Sequence, residues 1–230
     1  MLVTAEAIAL RAIAHGDRSV VLRTWTRHAG VRSYLVRTGA KARPAVLQPL
    51  ARIEVIADER PDRDLHAARE LRVRKPFVRI PFDPVRGAIV LFAQELLLRV
   101  LRAESADEDL HAAAEAVIED IDSADDLHVL PHRMLLRLAA PLGFQPEIPD
   151  SAEDHFDLEE GRFTQAGARH GHLLAPPYST ALAQLLRDQP VSLTSVQRRA
   201  LLDHLLLYYR LHVDGMGELR SPGVLHAVLA

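Results

Sequence analysis

The sequence predicts an α+β chain: a small N-terminal β-barrel, then an α-helical domain carrying a small β-hairpin insert. Three observations predict it. The first eighty residues break into five short apolar segments separated by turn signals, and from Asp83 onward the apolar spacing becomes helical. Residues 144–177 then interrupt the helical pattern with Pro146, Pro149, Gly161, Gly167, Gly171, Pro176 and Pro177. The expected division is a basic barrel over 1–80 and a helical domain over 81–230, with the irregular insert at about 144–177.

The strands are expected at Val3–Ile13, Ser19–Thr26, Val31–Thr38, Leu47–Ala57 and Ala68–Ile80. His15-Gly16-Asp17 and His28-Ala29-Gly30 are turn signals between them. Alternation is cleanest in the fourth, where Ala51, Ile53 and Val55 share one face and Arg52 and Glu54 the other. Leu71 and Val73 alternate with Arg72 and Arg74 in the fifth. Five short strands in about eighty residues suit a small closed barrel, and the OB-fold is the five-stranded candidate.

Three helices follow. Val85, Ile89, Phe92 and Leu96 share a face but are ringed by Val90, Leu91, Leu97 and Leu98, which marks a core helix. Ser105-Ala106-Asp107-Glu108 reads as a capping box opening a second helix with Leu110, Ala114, Val117 and Ile121 at helical spacing. The third spans Leu127 to Leu142 and stops at Gly143. Within the insert, Phe156 to Phe163 reads as a hairpin with Glu160-Gly161 at the turn. Helices resume near Ser179, and Thr194-Ser195-Val196-Gln197 caps one that ends near Asp214-Gly215.

Composition excludes several function classes. The chain has 230 residues, 48% hydrophobic and 26% charged, which is globular rather than disordered. It has no cysteine, so disulfides, iron–sulfur clusters, thiolate catalysis and cysteine-ligated zinc are excluded. The most apolar stretch, Ala88 to Leu101, holds Gln94, Glu95 and Arg99 and is too short to span a bilayer. Met1 to Leu10 lacks a basic n-region and a small-residue cleavage site, so a cytoplasmic protein with no membrane partner is expected.

Charge is uneven. Residues 1–80 carry 16 Lys and Arg against 8 Asp and Glu, whereas residues 81–160 carry 5 against 19. Such asymmetry points to a polyanion partner for the basic part, or to two parts of the chain that neutralise each other. Arg23, Arg27, Arg32, Arg37, Lys41, Arg43, Arg72 and Arg74 are spread over the barrel, with Trp25 and Tyr34 interleaved. Arginines that follow phosphates and aromatics that stack on bases are what single-strand binding requires. The competing reading of Trp25 and Tyr34 is barrel core.

Enzyme signals are sparse. There is no glycine-rich dinucleotide loop, Walker A loop or nucleophile elbow. His128 and His132 sit four apart on an expected helix, and His170 and His172 are close in sequence, but neither pair has a third ligand at a recurring spacing. A metal-dependent hydrolase built on His128 and His132 is the weakest of three readings. The second is an adaptor whose basic barrel docks an acidic partner.

The order of parts, with several local motifs, resembles the bacterial recombination mediator family RecO. Gly16 through Trp25 to Gly30 resembles the family's opening strand pair, Gly39-Ala40-Lys41-Ala42-Arg43 its basic loop, and Leu47-Gln48-Pro49 the return into the barrel. Leu142-Gly143-Phe144 followed by Pro146 resembles the helix end before the insert, and Phe156 to Phe163 the insert's hairpin. One departure is plain. Many members carry four cysteines around the insert as a zinc site, but Pro149-Asp150-Ser151 and Arg169-His170-Gly171-His172 contain none. His155, His170 and His172 do not restore a four-ligand set, so no metal and no cofactor are expected.

The resemblance implies a non-enzymatic, nucleoid-associated mediator of DNA repair and homologous recombination. It would bind single- and double-stranded DNA and anneal complementary strands. It would partner RecR, engage the acidic C-terminal tail of single-stranded DNA-binding protein, and help load RecA. The phosphate contacts expected to lead are Arg32, Arg37, Lys41 and Arg43, with Arg23, Arg27, Arg72, Arg74 and Tyr34 in support. A tail site needs cations beside apolar surface. Arg99, Arg102, Arg133 and Arg137, with Leu136 and Phe144 as lining, are the candidates, and Arg198 and Arg199 the substitutes.

Overall fold

The computed structural model describes residues 1–37, 44–60, 62–101, 106–149, 155–165 and 171–229. They form two compact units, Met1–Ser123 and Ala124–Ala230.

The first unit contains a closed barrel of strand order β1-β2-β3-β5-β4. Its strands are β1 (Leu2–Ala14), β2 (Ser19–Thr26), β3 (Gly30–Arg37), β4 (Arg52–Asp58) and β5 (Leu65–Lys75). β1 to β3 are an antiparallel meander, β4 pairs with β1 and β5, and β5 runs parallel to β3. This is the five-stranded barrel expected from the sequence. β1 serves two neighbours: Leu2–Ile8 pairs with β4 and Ala7–Ala14 with β2, with a bulge between Ala9 and Arg11. Bulges bend a strand and turn its later side chains to the other face. Ala7, Ala9, Leu22, Tyr34, Val36, Ile53, Val55 and Ala57 fill the barrel.

Two strands differ from expectation at their ends. β4 begins at Arg52 rather than Leu47 because Pro44–Leu47 is a 3₁₀ turn and Leu50 adopts a left-handed φ of 59°. β5 stops at Lys75 rather than Ile80 because Pro76 has no N–H to continue the ladder.

Two helices complete this unit. α1 (Pro84–Val100) starts on Asp83, whose carboxylate accepts from the amides of Val85 and Arg86. α2 (Glu108–Ser123) starts where the carboxylate of Asp107 accepts from the Leu110 amide at 2.9 Å, and Ser105 of the expected capping box lies outside the described residues. The sequence changes period near residue 80, whereas packing divides after Ser123, since α1 and α2 cluster with the barrel.

The end of α2 is fixed by one carboxylate. Asp122, 6% exposed, accepts from the backbone amides of Val78, Arg79 and Ile80 at 2.8, 2.8 and 2.9 Å. These are three of the amides of the segment linking β5 to α1. Beside them the buried Arg86 donates to the Ile121 carbonyl and to Asp83. Burial pushes the Asp122 carboxyl up, but the three amide donors and Arg52 outweigh it and hold it below the ordinary carboxylate range.

The second unit is helical around a small sheet of order β7-β6-β8. Its elements are α3 (Leu130–Ala139), β6 (His155–Asp157), β7 (Arg162–Thr164), β8 (Leu173–Leu174), α4 (Tyr178–Leu186), α5 (Ser195–His212) and α6 (Pro222–Val228). α3 is shorter than the expected Leu127–Leu142, starting with Pro131 in its first turn. The expected capping box of α5 is present: the Gln197 amide donates to the Thr194 hydroxyl and the Thr194 amide to the Gln197 side chain. The insert is the expected hairpin with β8 added. Gly161 sits at its turn with φ 70°, and a Cβ there would lie 2.8 Å from the Tyr208 hydroxyl.

Asp122→Ala should destabilise the first unit by about 3 kcal/mol, the scale of orphaning buried amides that were bonded to a charge. Urea unfolding followed by emission of Trp25, the sole tryptophan, checks it. A group with a depressed native pKa contributes stability above its unfolded pKa and loses it as pH falls. The wild type should therefore weaken as pH drops through about 4, and the variant should lose that part of the slope.

Candidate nucleic-acid interface

Glu108, Glu115, Glu119 and Asp122 recur along α2 at a spacing that places them in one stripe. That stripe meets the basic side of the barrel. Glu119 holds Arg52 at 2.6 Å and Lys75 at 2.7 Å. Both partners pull the Glu119 carboxyl below its usual range, Arg52 the more strongly. Glu115 holds Arg74 at 2.9 Å, and Glu6 of β1 holds the same guanidinium at 3.1 Å. Glu108 lies 3.0 Å from His28 and 4.0 Å from Arg27, which also meets Glu6 at 3.7 Å. One side of the barrel is thus neutralised within its own unit.

The expected phosphate contacts therefore divide. Arg27 and Arg74 are paired as above, and Arg72 is held by Glu70 at 2.8 Å. Arg23 and Arg37 form no ion pair among the described residues, and Arg37 is exposed. Arg32 faces the same way as Tyr34 and donates to the Val31 carbonyl at 3.0 Å. Lys41 and Arg43 lie outside the described residues.

Neither expected stacking residue is available. Tyr34 is 0% exposed inside the barrel, and its hydroxyl donates to Glu59 at 2.6 Å. Burial and that contact push its pKa well up. Trp25 points outward but is sealed by His111 of α2, with ring centroids 4.9 Å apart, and is also 0% exposed. Burial lowers the His111 pKa, so the ring between barrel and helix stays neutral. Tyr34 is thus a core residue rather than a base contact.

Sequence reasoning missed Arg11 and Arg18. Both are exposed, with no ion pair among the described residues. Ala7 and Ala9 face inward, so plain alternation would turn Arg11 inward too. The bulge after Ala9 turns it outward, opposite Arg23. Sequence spacing carries no mark of that bulge.

The candidates for an acidic tail are also split. Arg133 and Arg137 are exposed one turn apart on α3, while Leu136 between them is buried. Arg99 belongs to the first unit, and Arg102 lies outside the described residues. Phe144 packs against Tyr208, Tyr209 and His212 rather than lining an open groove. Arg198 and Arg199 are spent on main chain: Arg198 donates to the Leu193 and Leu229 carbonyls and Arg199 to that of His226.

A hydrolytic metal pair is not assembled. His132 is buried, donates Nε2–H to the Arg198 carbonyl at 2.8 Å, and is lowered to about 4 by burial, whereas His128 is exposed. Among the described residues no three histidine, aspartate or glutamate side chains gather as a metal site. With no cysteine in the chain, the donor set of a thiolate zinc site is missing. No helix among the described residues is long and apolar enough to cross a membrane.

Residues 1–77 match the family model described as Recombination protein O N terminal, and residues 81–221 match Recombination protein O C terminal. Among curated relatives, DNA repair protein RecO of Porphyromonas gingivalis is 30% identical over 241 residues, covering 98% of each chain. DNA repair protein RecO of Bacteroides fragilis is 31% identical over 237 residues with the same coverage. DNA repair protein RecO of Flavobacterium psychrophilum is 27% identical across 100% of both chains.

The sealed Trp25 gives a direct check on the geometry. Acrylamide should quench its emission weakly in the native protein and strongly after unfolding. Saturating oligonucleotide should leave the emission nearly unchanged. Strong quenching by DNA would mean that a base reaches the ring.

Proposed function

The chain belongs to the recombination protein O family, and from that premise we propose that it acts in DNA repair and homologous recombination as a DNA-binding mediator. The observation that carries the reading is the unneutralised arginine set on the barrel of a chain that matches the family along its length. It binds single- and double-stranded DNA through the barrel and brings complementary strands together. Annealing needs the repulsion between two phosphate chains relieved, and cations do this without a bond being made or broken. The work therefore needs no catalytic residue and no cofactor.

Arg23 and Arg37 are the described phosphate contacts of this reading, and Lys41 and Arg43, outside the described residues, are proposed to join them. The partners of the proposed pathway are RecR, the acidic tail of single-stranded DNA-binding protein and, indirectly, RecA, at the bacterial chromosome. Arg133 and Arg137, exposed one turn apart on α3, are the cations proposed for the tail. The division of labour is a barrel over 1–80 for DNA and a helical region over 81–230 for partners. A second reading is an adaptor that docks an acidic protein. It draws on α2, where carboxylates already occupy Arg27, Arg52, Arg74 and Lys75.

Fluorescence anisotropy of a labelled single strand, titrated at several salt concentrations, separates the two. The mediator reading expects binding at low salt whose logarithm falls linearly with the logarithm of salt, by about 0.7 per phosphate neutralised. Absence of binding at low salt would put the adaptor first.

A further inference from the structure

Strand register arranges the outward side chains of β1, β2 and β3 in rungs. Ser19 stands opposite Arg37; Ile13, Val21 and Leu35 form the next rung; Arg11, Arg23 and Ser33 form the third. The rung beyond holds Trp25 and Val31, and α2 covers it through His111. That face of β1–β3 thus carries cations at both ends and an apolar rung between them, with Ile13 48% exposed.

The Arg11–Arg23 rung is unfavourable on its own. Like charges directly opposite each other weaken a sheet. No carboxylate among the described residues relieves either arginine, and Nε of Arg23 is buried without a hydrogen-bond partner. On the α2 side, by contrast, Arg27, Arg52, Arg74 and Lys75 each meet a carboxylate. A paired guanidinium set with donors to spare fits an anion with several acceptor oxygens. Arg23 and the rung of Arg37 are four residues apart along β2, about 13 Å at strand rise. One small anion cannot bridge that distance, whereas a repeating one can. Bases have no stacking platform on this face, because Trp25 and Tyr34 are the only aromatics of β1–β3 and both are 0% exposed.

We propose that the outer face of β1–β3 grips the sugar–phosphate backbone of DNA through the Arg11–Arg23 rung, with Arg18 and Arg37 along the same track, and takes no stacking contact with bases. The inference rests on the mediator reading and assigns the backbone site within it. Ile13, Val21 and Leu35 pack against sugars, and the apo protein bears the Arg11–Arg23 repulsion that a phosphate relieves.

The test compares the wild type, Arg11→Glu/Arg23→Glu, Arg11→Gln/Arg23→Gln and the control Arg69→Ala. Arg69 is an exposed β5 residue already paired with Asp58 at 2.7 Å. Each is titrated against an oligothymidine strand and an equally long strand of abasic residues. The wild type should bind both strands within about threefold. The glutamate variant should lose at least about tenfold on both, with a salt slope shallower by about 1.4, the value of two phosphates on a single strand. The glutamine variant should bind less well yet melt no lower than the wild type, and at low salt higher, since it removes a like-charge pair. It also keeps the test sound if the glutamate variant fails to fold. Rung variants that bind like the wild type would overturn the site and leave the mediator reading standing. Loss of the abasic strand alone would overturn the backbone claim. A wild type that binds neither strand would overturn the mediator reading itself.

Discussion

Three backbone amides on one carboxylate organise the first unit. Asp122 ends α2, and Val78, Arg79 and Ile80 begin the passage from β5 to α1. A buried carboxylate with this many donors has few other places to go without orphaning them. Fixing the C-terminal turn of α2 there lets Glu119, Glu115 and Glu108 follow back along the helix against the barrel. The consequence is a division of charge. Arg27, Arg52, Arg74 and Lys75 are consumed in holding α2, whereas Arg11, Arg18, Arg23 and Arg37 are among those that form no ion pair among the described residues. Part of the basic barrel therefore answers an acidic helix of its own chain, as the reading of self-neutralisation expected.

The second unit solves a different problem. Its hairpin insert is short, and no cysteine is present to tie it down. The Tyr208 hydroxyl donates to the Phe144 carbonyl and the Tyr209 hydroxyl to that of Leu135, both at 2.6 Å. Phe156 packs edge-on to Phe163 and to Tyr208, and His212 donates to the Leu158 carbonyl at 3.0 Å. Burial and Glu147 push the Tyr208 phenol up to about 12, so it stays a donor throughout the physiological range. Aromatic area and two phenol hydrogen bonds thus join α5, the end of α3 and the hairpin. Gly161 completes the arrangement, since any larger residue would strike Tyr208.

Much of this was legible in the residues. Alternation marked the core of β4, the Thr194–Gln197 box marked the start of α5, and the glycine at position 161 marked the hairpin turn. What was illegible shares one cause: it depends on which face a residue turns to, which long-range pairing decides. The bulge after Ala9 reverses the parity of Arg11 and brings it beside Arg23. Trp25 alternates outward like an exposed residue, yet α2 arrives from more than eighty residues away to cover it. Arginine spacing alone cannot distinguish Arg74, which meets Glu115, from Arg23, which meets no carboxylate among the described residues. α6 was also invisible, being short and held by Arg199 on its His226 carbonyl and by Arg198 on that of Leu229 just beyond it, rather than by an apolar period.

The most direct measurement is hydrogen–deuterium exchange of the full chain with and without a saturating oligonucleotide. The partition of charge predicts slower exchange over β1–β2 and the end of β3, around Arg11 to Arg23 and Arg37, with β5 and α2 unchanged. Protection confined to β5 and α2, with none around Arg11 to Arg23, would contradict it.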